Sequence, residues 1–412
     1  MKKLFVSAVA GLAMLGLALP AAAMDHEFGG YWRTRAVATG DFNNMNDASY
    51  VDTRTRLFYT AKFSDNLKFV NKFEFNTVWG DDDGGDISAD GKNDWRIKNS
   101  YVDMTFGDWN ATVGIQGGVI ARGFLFDDDF SGAVVTYKAA GFDVPVMWIK
   151  HTEGSYGGAG SGDNDYDVDY LVVNPTVALS DQLSLNPVFM WVRSEDASQS
   201  NGFGVNFGFT PEDVNLFYLG LNADMDFGMG SAWFTGIYQF GSIDHAPLAG
   251  STSTDVKAYL VALGGNVDLG AFNVHGEMFY ASGNDSGSDY EQFFVPAGQS
   301  YYWSEIMGLG TFDNYGSNGS PEDAIGNIMA FNLGASMSPI EKLTVTADIW
   351  YAQLAEKDIN GEDELGTELN LKASYKLMDN LNVDVVGAYL FAGDATGKDD
   401  PWLVGTQLSL KF

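Results

Sequence analysis

The chain ends Trp402-Leu403-Val404-Gly405-Thr406-Gln407-Leu408-Ser409-Leu410-Lys411-Phe412. Trp402, Val404, Thr406, Leu408, Leu410 and Phe412 fall on one face of an extended backbone, and Leu403, Gly405, Gln407, Ser409 and Lys411 on the other. A period of two means a β-strand with one apolar and one polar face. Residues 365–377 repeat it, with Leu365, Thr367, Leu369, Leu371, Ala373, Tyr375 and Leu377 opposing Gly366, Glu368, Asn370, Lys372, Ser374 and Lys376. Residues 67–79 do so again, with Leu67, Phe69, Phe73, Phe75 and Trp79 on the apolar side. Such segments run about 10–13 residues, the length of a tilted strand crossing a bilayer.

The segments are joined alternately by short turns and long connections. Turns fall near Ser64-Asp65-Asn66, Gly107-Asp108, Ala140-Gly141, Ser180-Asp181-Gln182, Phe227-Gly228-Met229, Leu269-Gly270, Ile340-Glu341 and Met378-Asp379-Asn380, where Asp can bond its own turn. Nine long connections and eight short ones predict an all-β, antiparallel, up-and-down transmembrane barrel of about 18 strands, with 16 as the alternative. A soluble β-sandwich would not sort its connections so regularly. Tyr31, Trp32, Trp79, Trp95, Trp109, Trp148, Trp191, Tyr389 and Trp402 sit at strand ends, as two interfacial girdles require.

Composition narrows the function. The 412 residues carry 55 acidic and 23 basic side chains, a net charge of −32, which excludes an extended nucleic-acid surface. The absence of cysteine excludes thiol catalysis, disulfides and Cys-held metals. No triad forms around His26, His151, His245 or His275, so no enzyme is expected. Lys2 and Lys3, the apolar run to Leu19, Pro20 and Ala21-Ala22-Ala23 form an export signal, with cleavage expected before Met24. Residues 24–412 are then the barrel.

The export signal, the 18 alternating strands and the terminal Phe412 resemble Gram-negative outer-membrane porins. The opening Phe28-Gly29-Gly30-Tyr31-Trp32-Arg33-Thr34-Arg35 is also similar to porin-like proteins of sulfate- and metal-reducing bacteria. The resemblance implies an integral outer-membrane protein in contact with lipid and lipopolysaccharide. It also implies a homotrimer, passive diffusion of small hydrophilic solutes, and Phe412 as the signal read by the barrel-assembly machinery.

Six of the seven arginines precede residue 123. Arg33 and Arg35 lie on strand one, Arg54 and Arg56 on strand two, and Lys68 and Lys72 on the polar side of strand three, making one basic wall. Arg96 and Lys98 are ambiguous in phase. Inward carboxylates are expected later, at Asp224, Asp226, Asp268, Glu277, Asp348, Glu368 and Asp384. A wet lumen accounts for such residues as readily as a selective one does.

The third connection reads Gly117-Gly118-Val119-Ile120-Ala121-Arg122-Gly123-Phe124-Leu125-Phe126-Asp127-Asp128-Asp129-Phe130. An apolar loop is out of place at an exposed tip, so it is expected to fold into the barrel, the alternative being contact with a neighbouring subunit. By the porin resemblance Arg122, Asp127, Asp128 and Asp129 line a constriction opposite the arginine wall. No cofactor is expected beyond loosely bound calcium at Asp81, Asp83 and Asp86, or at residues 163–167. The function expected is a general diffusion channel. Its alternatives are a specific channel for small carboxylates or sugars, or a barrel sheathing a multihaem cytochrome.

Overall fold

The structure, a computed structural model, describes residues 24–42, 47–81, 85–86, 94–153, 167–195, 211–248, 251–285, 289–313 and 325–412. The chain forms one antiparallel sheet closed on itself. Its strands are β1 (Asp25–Gly40), β2 (Ala48–Ser64), β3 (Leu67–Val78), β4 (Asp94–Phe106), β5 (Trp109–Ile120), β6 (Phe126–Ala139), β7 (Phe142–Thr152), β8 (Val168–Val173) and β9 (Thr176–Ala178). They continue with β10 (Leu183–Ser194), β11 (Pro211–Asp226), β12 (Gly230–Leu248), β13 (Ser251–Asp268), β14 (Asn273–Ala281), β15 (Ile328–Ile340), β16 (Leu343–Leu354), β17 (Glu364–Met378), β18 (Leu381–Ala392) and β19 (Trp402–Lys411). β8 and β9 lie between the same two neighbours, β7 and β10, and are one crossing broken at Asn174-Pro175. Proline has no N–H to give the ladder there, so the barrel has 18 crossings.

Closure rests on β1 pairing β19, from Tyr31 opposite Lys411 to Gly40 opposite Trp402. Gly30 and Phe412 exchange both backbone hydrogen bonds, at 2.7 and 3.1 Å. A Cβ on Gly30 would lie 2.4 Å from the Phe412 ring and 2.8 Å from the Arg56 carbonyl oxygen. Gly30→Val should therefore force the last residue out of the seam. The expected result is a smaller fraction of folded, heat-modifiable barrel after refolding, read as a gel-mobility shift.

The two faces separate as the alternation predicts. On β19, Val404 is 54% exposed while Leu403 is fully covered, and on β11 Leu219 is 58% exposed while Leu216 and Tyr218 are fully covered. The eight predicted turns all join neighbouring strands. Among the described residues no helix is long and apolar enough to cross a membrane.

Two long connections differ from expectation. β12 and β13 leave only two residues between them, so the sixth connection is short. The third is mostly strand. β5 and β6 stay paired to Ile120 opposite Phe126. However, β4 holds β5 only to Ile115, and β7 holds β6 only from Ser131. Residues 116–130 are thus a hairpin that leaves the wall. Gly117-Gly118 opposite Asp128 and Asp129 disguises the strand, because neither pair alternates apolar with polar. Its tip turns through Ala121, Arg122 and Gly123, all with left-handed backbone (φ 51°, 60° and 93°).

The largest feature absent from the sequence reading is the content of the lumen. Residues 289–313 of the connection between β14 and β15 (loop 7) cross the interior. Tyr290 pairs with β13 through backbone bonds to Asp255 and Lys257. Tyr218 on β11 donates its hydroxyl to the Phe294 carbonyl (2.9 Å), and Tyr170 on β8 donates to that of Ala297 (3.1 Å). Gln299 donates to the Phe124 carbonyl at the hairpin tip (2.6 Å), and the Asp127 N–H donates to the Gly298 carbonyl (2.8 Å). Phe293, Ile306, Met307 and Phe312 are at most 1% exposed. Burying each such side chain contributes about 1.5–3 kcal/mol, enough to offset about 1–2 kcal/mol of backbone ordering per residue only where apolar residues are dense. The stretch 290–312 of loop 7 has that density. The inward faces of β8 to β14 match it with Val172, Met190, Leu216, Tyr218, Leu260 and Phe279, all fully covered. An aromatic chain runs from hairpin to wall: Phe124 stacks on Tyr301 (3.8 Å between centroids), Phe279 meets Tyr301 and Trp303, and Trp303 meets Trp350 on β16 (5.2 Å).

Candidate solute-binding site in the lumen

With one side of the lumen filled, polar chemistry concentrates on β1 to β4. The register sets Arg33 opposite Arg54, Arg35 opposite Asp52, Arg54 opposite Asn76 and Arg56 opposite Glu74. Directly opposite residues share a face, so four guanidiniums stand on two adjacent strands. Asp52 takes Arg35 by both oxygens at Nε (2.9 and 2.8 Å) and also Nη2 (2.8 Å). Arg54 Nε donates to Asn76 (2.6 Å), and Arg56 Nε donates to Glu74 (2.6 Å). Glu74 is only 2% exposed and also accepts from Asn76 (2.9 Å), so it is fixed as the wall's own counter-charge.

Among the described residues, Arg33 forms no ion pair with an acid of the wall. Its partner comes from loop 7: Nη2 donates to Asp313 Oδ2 at 2.9 Å. The same carboxylate lies 3.6 Å from Arg35 Nη1 and 3.8 Å from Arg54 Nη1. Arg35 also donates to the Phe312 carbonyl. Three guanidiniums thus converge on one carboxylate. Burial alone would raise the Asp313 pKa, but the Arg33 hydrogen bond and the charges of Arg33, Arg35 and Arg54 hold it below the ordinary aspartate value. Asp313 therefore stays ionised throughout the neutral range.

The other predicted residues are distributed as follows. Lys72 shares the wall, its ammonium 5.5 Å from the Phe58 ring centre. Lys68 lies nearer the turn end, 3.9 Å from Asp103. Lys98 pairs with Asp129, so a hairpin acid and a β4 base close one edge of the site. Arg96 stands opposite Glu74 in register. Asp127 and Asp128 are exposed on the hairpin edge. Arg122 goes elsewhere: it reaches Asp224 on β11 at 2.6 Å, with its guanidinium 5.0 Å from the Trp233 ring centre. It pins the hairpin tip to the far wall and does not face the arginines.

Several expected inward carboxylates have structural employment. Asp226 and Asp268 accept the backbone N–H groups of Gly228 and Gly270 in their turns, each at 2.7 Å. Asp348 accepts from His275 (2.8 Å), Asp384 from Ser374 (2.6 Å), and Glu277 from Tyr301 (3.1 Å). Glu368 is fully covered and accepts three successive loop 7 N–H groups, from Glu305, Ile306 and Met307, at 2.8–2.9 Å. Of the calcium candidates, Asp81 and Asp86 lie among the described residues and Asp83 outside them. Residues 163–166 also lie outside them, and Asp167 pairs with Lys150 at 2.6 Å. Among the described residues no three metal-ligating side chains come together.

Asp313, Glu74 and the exposed Tyr302 beside the aspartate were missed. Loop 7 is rich in Gly, Ser and Asn, and nothing local marks Asp313 as a partner of strand one. Glu74, by contrast, had a signal, since it shares the polar side of β3 with Lys72.

The fold matches solved outer-membrane channels of Gram-negative bacteria. OccK11 (OpdR) of Pseudomonas aeruginosa superposes with a TM-score of 0.61 at 11% identity, covering 94% of this chain and 96% of that one. The outer-membrane protein OpdK of the same organism gives 0.61 at 12% identity, covering 94% and 98%, and a further structure of it holds vanillate. OccAB1 of Acinetobacter baumannii gives 0.61 at 13% identity, covering 96% and 99%. No family model and no curated protein matches the chain.

Proposed function

We propose that this protein is an outer-membrane channel for small carboxylates, which pass along the arginine wall beside the hairpin and loop 7. The observation that carries this reading is the convergence of Arg33, Arg35 and Arg54 on the carboxylate of Asp313. A wall that holds one carboxylate by three guanidiniums has the chemistry to hold another. The packed lumen favours this specific channel over the wide diffusion pore and over a sheath for a cytochrome. Vanillate, the carboxylate held by OpdK, belongs to the same chemical class.

In this reading the constriction is lined by Arg54, Arg56, Lys72 and Lys98 on one side. Asp127, Asp128, Tyr302 and Asp313 line the other. Export through a signal cleaved before Met24, insertion by the barrel-assembly machinery through Phe412, contact with lipopolysaccharide and assembly as a homotrimer belong to the same proposal. The Phe412 seam with Gly30 supports a role for that residue in closing the barrel. The test is a planar-bilayer recording under a potassium chloride gradient. Small, anion-selective steps are expected. Large cation-selective steps would return the general porin.

A further inference from the structure

We propose that Asp313 is a built-in competitor: loop 7 places its own carboxylate in the guanidinium cluster, and a permeating carboxylate enters by exchanging with it. This rests on the channel reading above and adds how the site is regulated.

Charge makes the first argument. Among the described residues, Arg33, Arg35, Arg54 and Arg56 face two wall acids, Asp52 and Glu74. Asp313 offsets part of the excess without cancelling it. The cluster therefore keeps positive charge for an incoming anion.

Attachment makes the second. The body of loop 7 is fixed independently of Asp313. Glu368 clasps Glu305 to Met307. The Phe312 ring fills the space over Gly405, where a Cβ would lie 2.4 Å from it. Asp313 itself has a left-handed backbone, φ 50°, which is costly for a residue other than glycine. Its side chain keeps 25% exposure, against 9% or less for Arg33 and Arg35. It can swing out while residues 305–312 stay docked. A resident carboxylate also solves a transport problem, since a site that binds anions too tightly does not release them. Competition weakens apparent affinity by the fraction of sites that are free.

The test uses the full chain in liposomes, with succinate uptake as the probe. It is a small carboxylate that stays charged at neutral pH. For Asp313→Asn the half-saturating succinate concentration should fall about tenfold, as when a site that is nine-tenths self-occupied is freed. The maximal rate should fall with it, because release slows. Asp313→Glu should resemble the parent. An unchanged half-saturating concentration with faster uptake would mean that Asp313 only obstructs, and would overturn the competitor while leaving the channel reading intact. No saturable succinate uptake in either protein would overturn both. Heat-modifiable mobility checks folding, and Asp313→Ser serves if the asparagine variant does not fold.

Discussion

Glu368→Ala is expected to release loop 7 and raise single-channel conductance several-fold. The carboxylate is fully covered and accepts N–H groups from Glu305 (2.8 Å) and Ile306 (2.9 Å) on one oxygen and from Met307 (2.8 Å) on the other. Alanine would leave three buried N–H groups without an acceptor, at about 1–3 kcal/mol each. That sum rivals what docks the loop, because the same segment must also repay its ordering. The barrel should survive, since the ladder from β16 to β18 uses backbone groups and not the Glu368 side chain. Larger, noisier steps are expected, with new protease cleavage between residues 289 and 313. Glu368→Gln should give a smaller effect, as its amide oxygen still accepts while its NH2 faces a donor. Parent-like conductance in the alanine variant would mean that the aromatic contacts alone hold the loop.

The second large effect is on selectivity. Arg54→Gln together with Arg56→Gln removes two positive charges and leaves Glu74 without its guanidinium partners at 2.6 and 3.6 Å. Asp127, Asp128 and Asp313 remain across the passage. The local balance then turns negative. At about 0.15 M salt, fields are screened beyond about 8 Å, so nearby charges outweigh the protein's overall acidity. The reversal potential under a salt gradient should therefore change sign, from anion to cation preference. Retention of anion preference would place the filter elsewhere.

The barrel was legible because a strand that faces lipid on one side and anything else on the other must alternate. Residues 402–412 and 67–79 show that period, with breaks at positions such as Val70 and Asn71. Seven of the eight turns were legible through their Gly and Asp residues, Ile340-Glu341 being the exception. Spacing alone put Arg33, Arg35, Arg54 and Arg56 on one side, and the register agrees. Alternation cannot say what the inner face touches. Val168, Tyr170 and Val172 alternate with Asp169, Leu171 and Val173, so apart from Asp169 both sides of β8 read as apolar, and packing against loop 7 is indistinguishable from packing against lipid. The hairpin at residues 116–130 was recognised as unusual by its apolar tip, but its Gly-Gly and Asp-Asp-Asp runs masked the strand pairing. Asp313 lies 280 residues from Arg33, and no local pattern carries a contact of that range.

The most direct test of the channel is to compare uptake of succinate with that of an uncharged sugar of similar size into liposomes bearing the full chain. A passage governed by Arg33, Arg35 and Arg54 should take up succinate faster and saturably, with the preference lost at high salt. Equal, unsaturable entry of both solutes would contradict the account and restore a general diffusion pore.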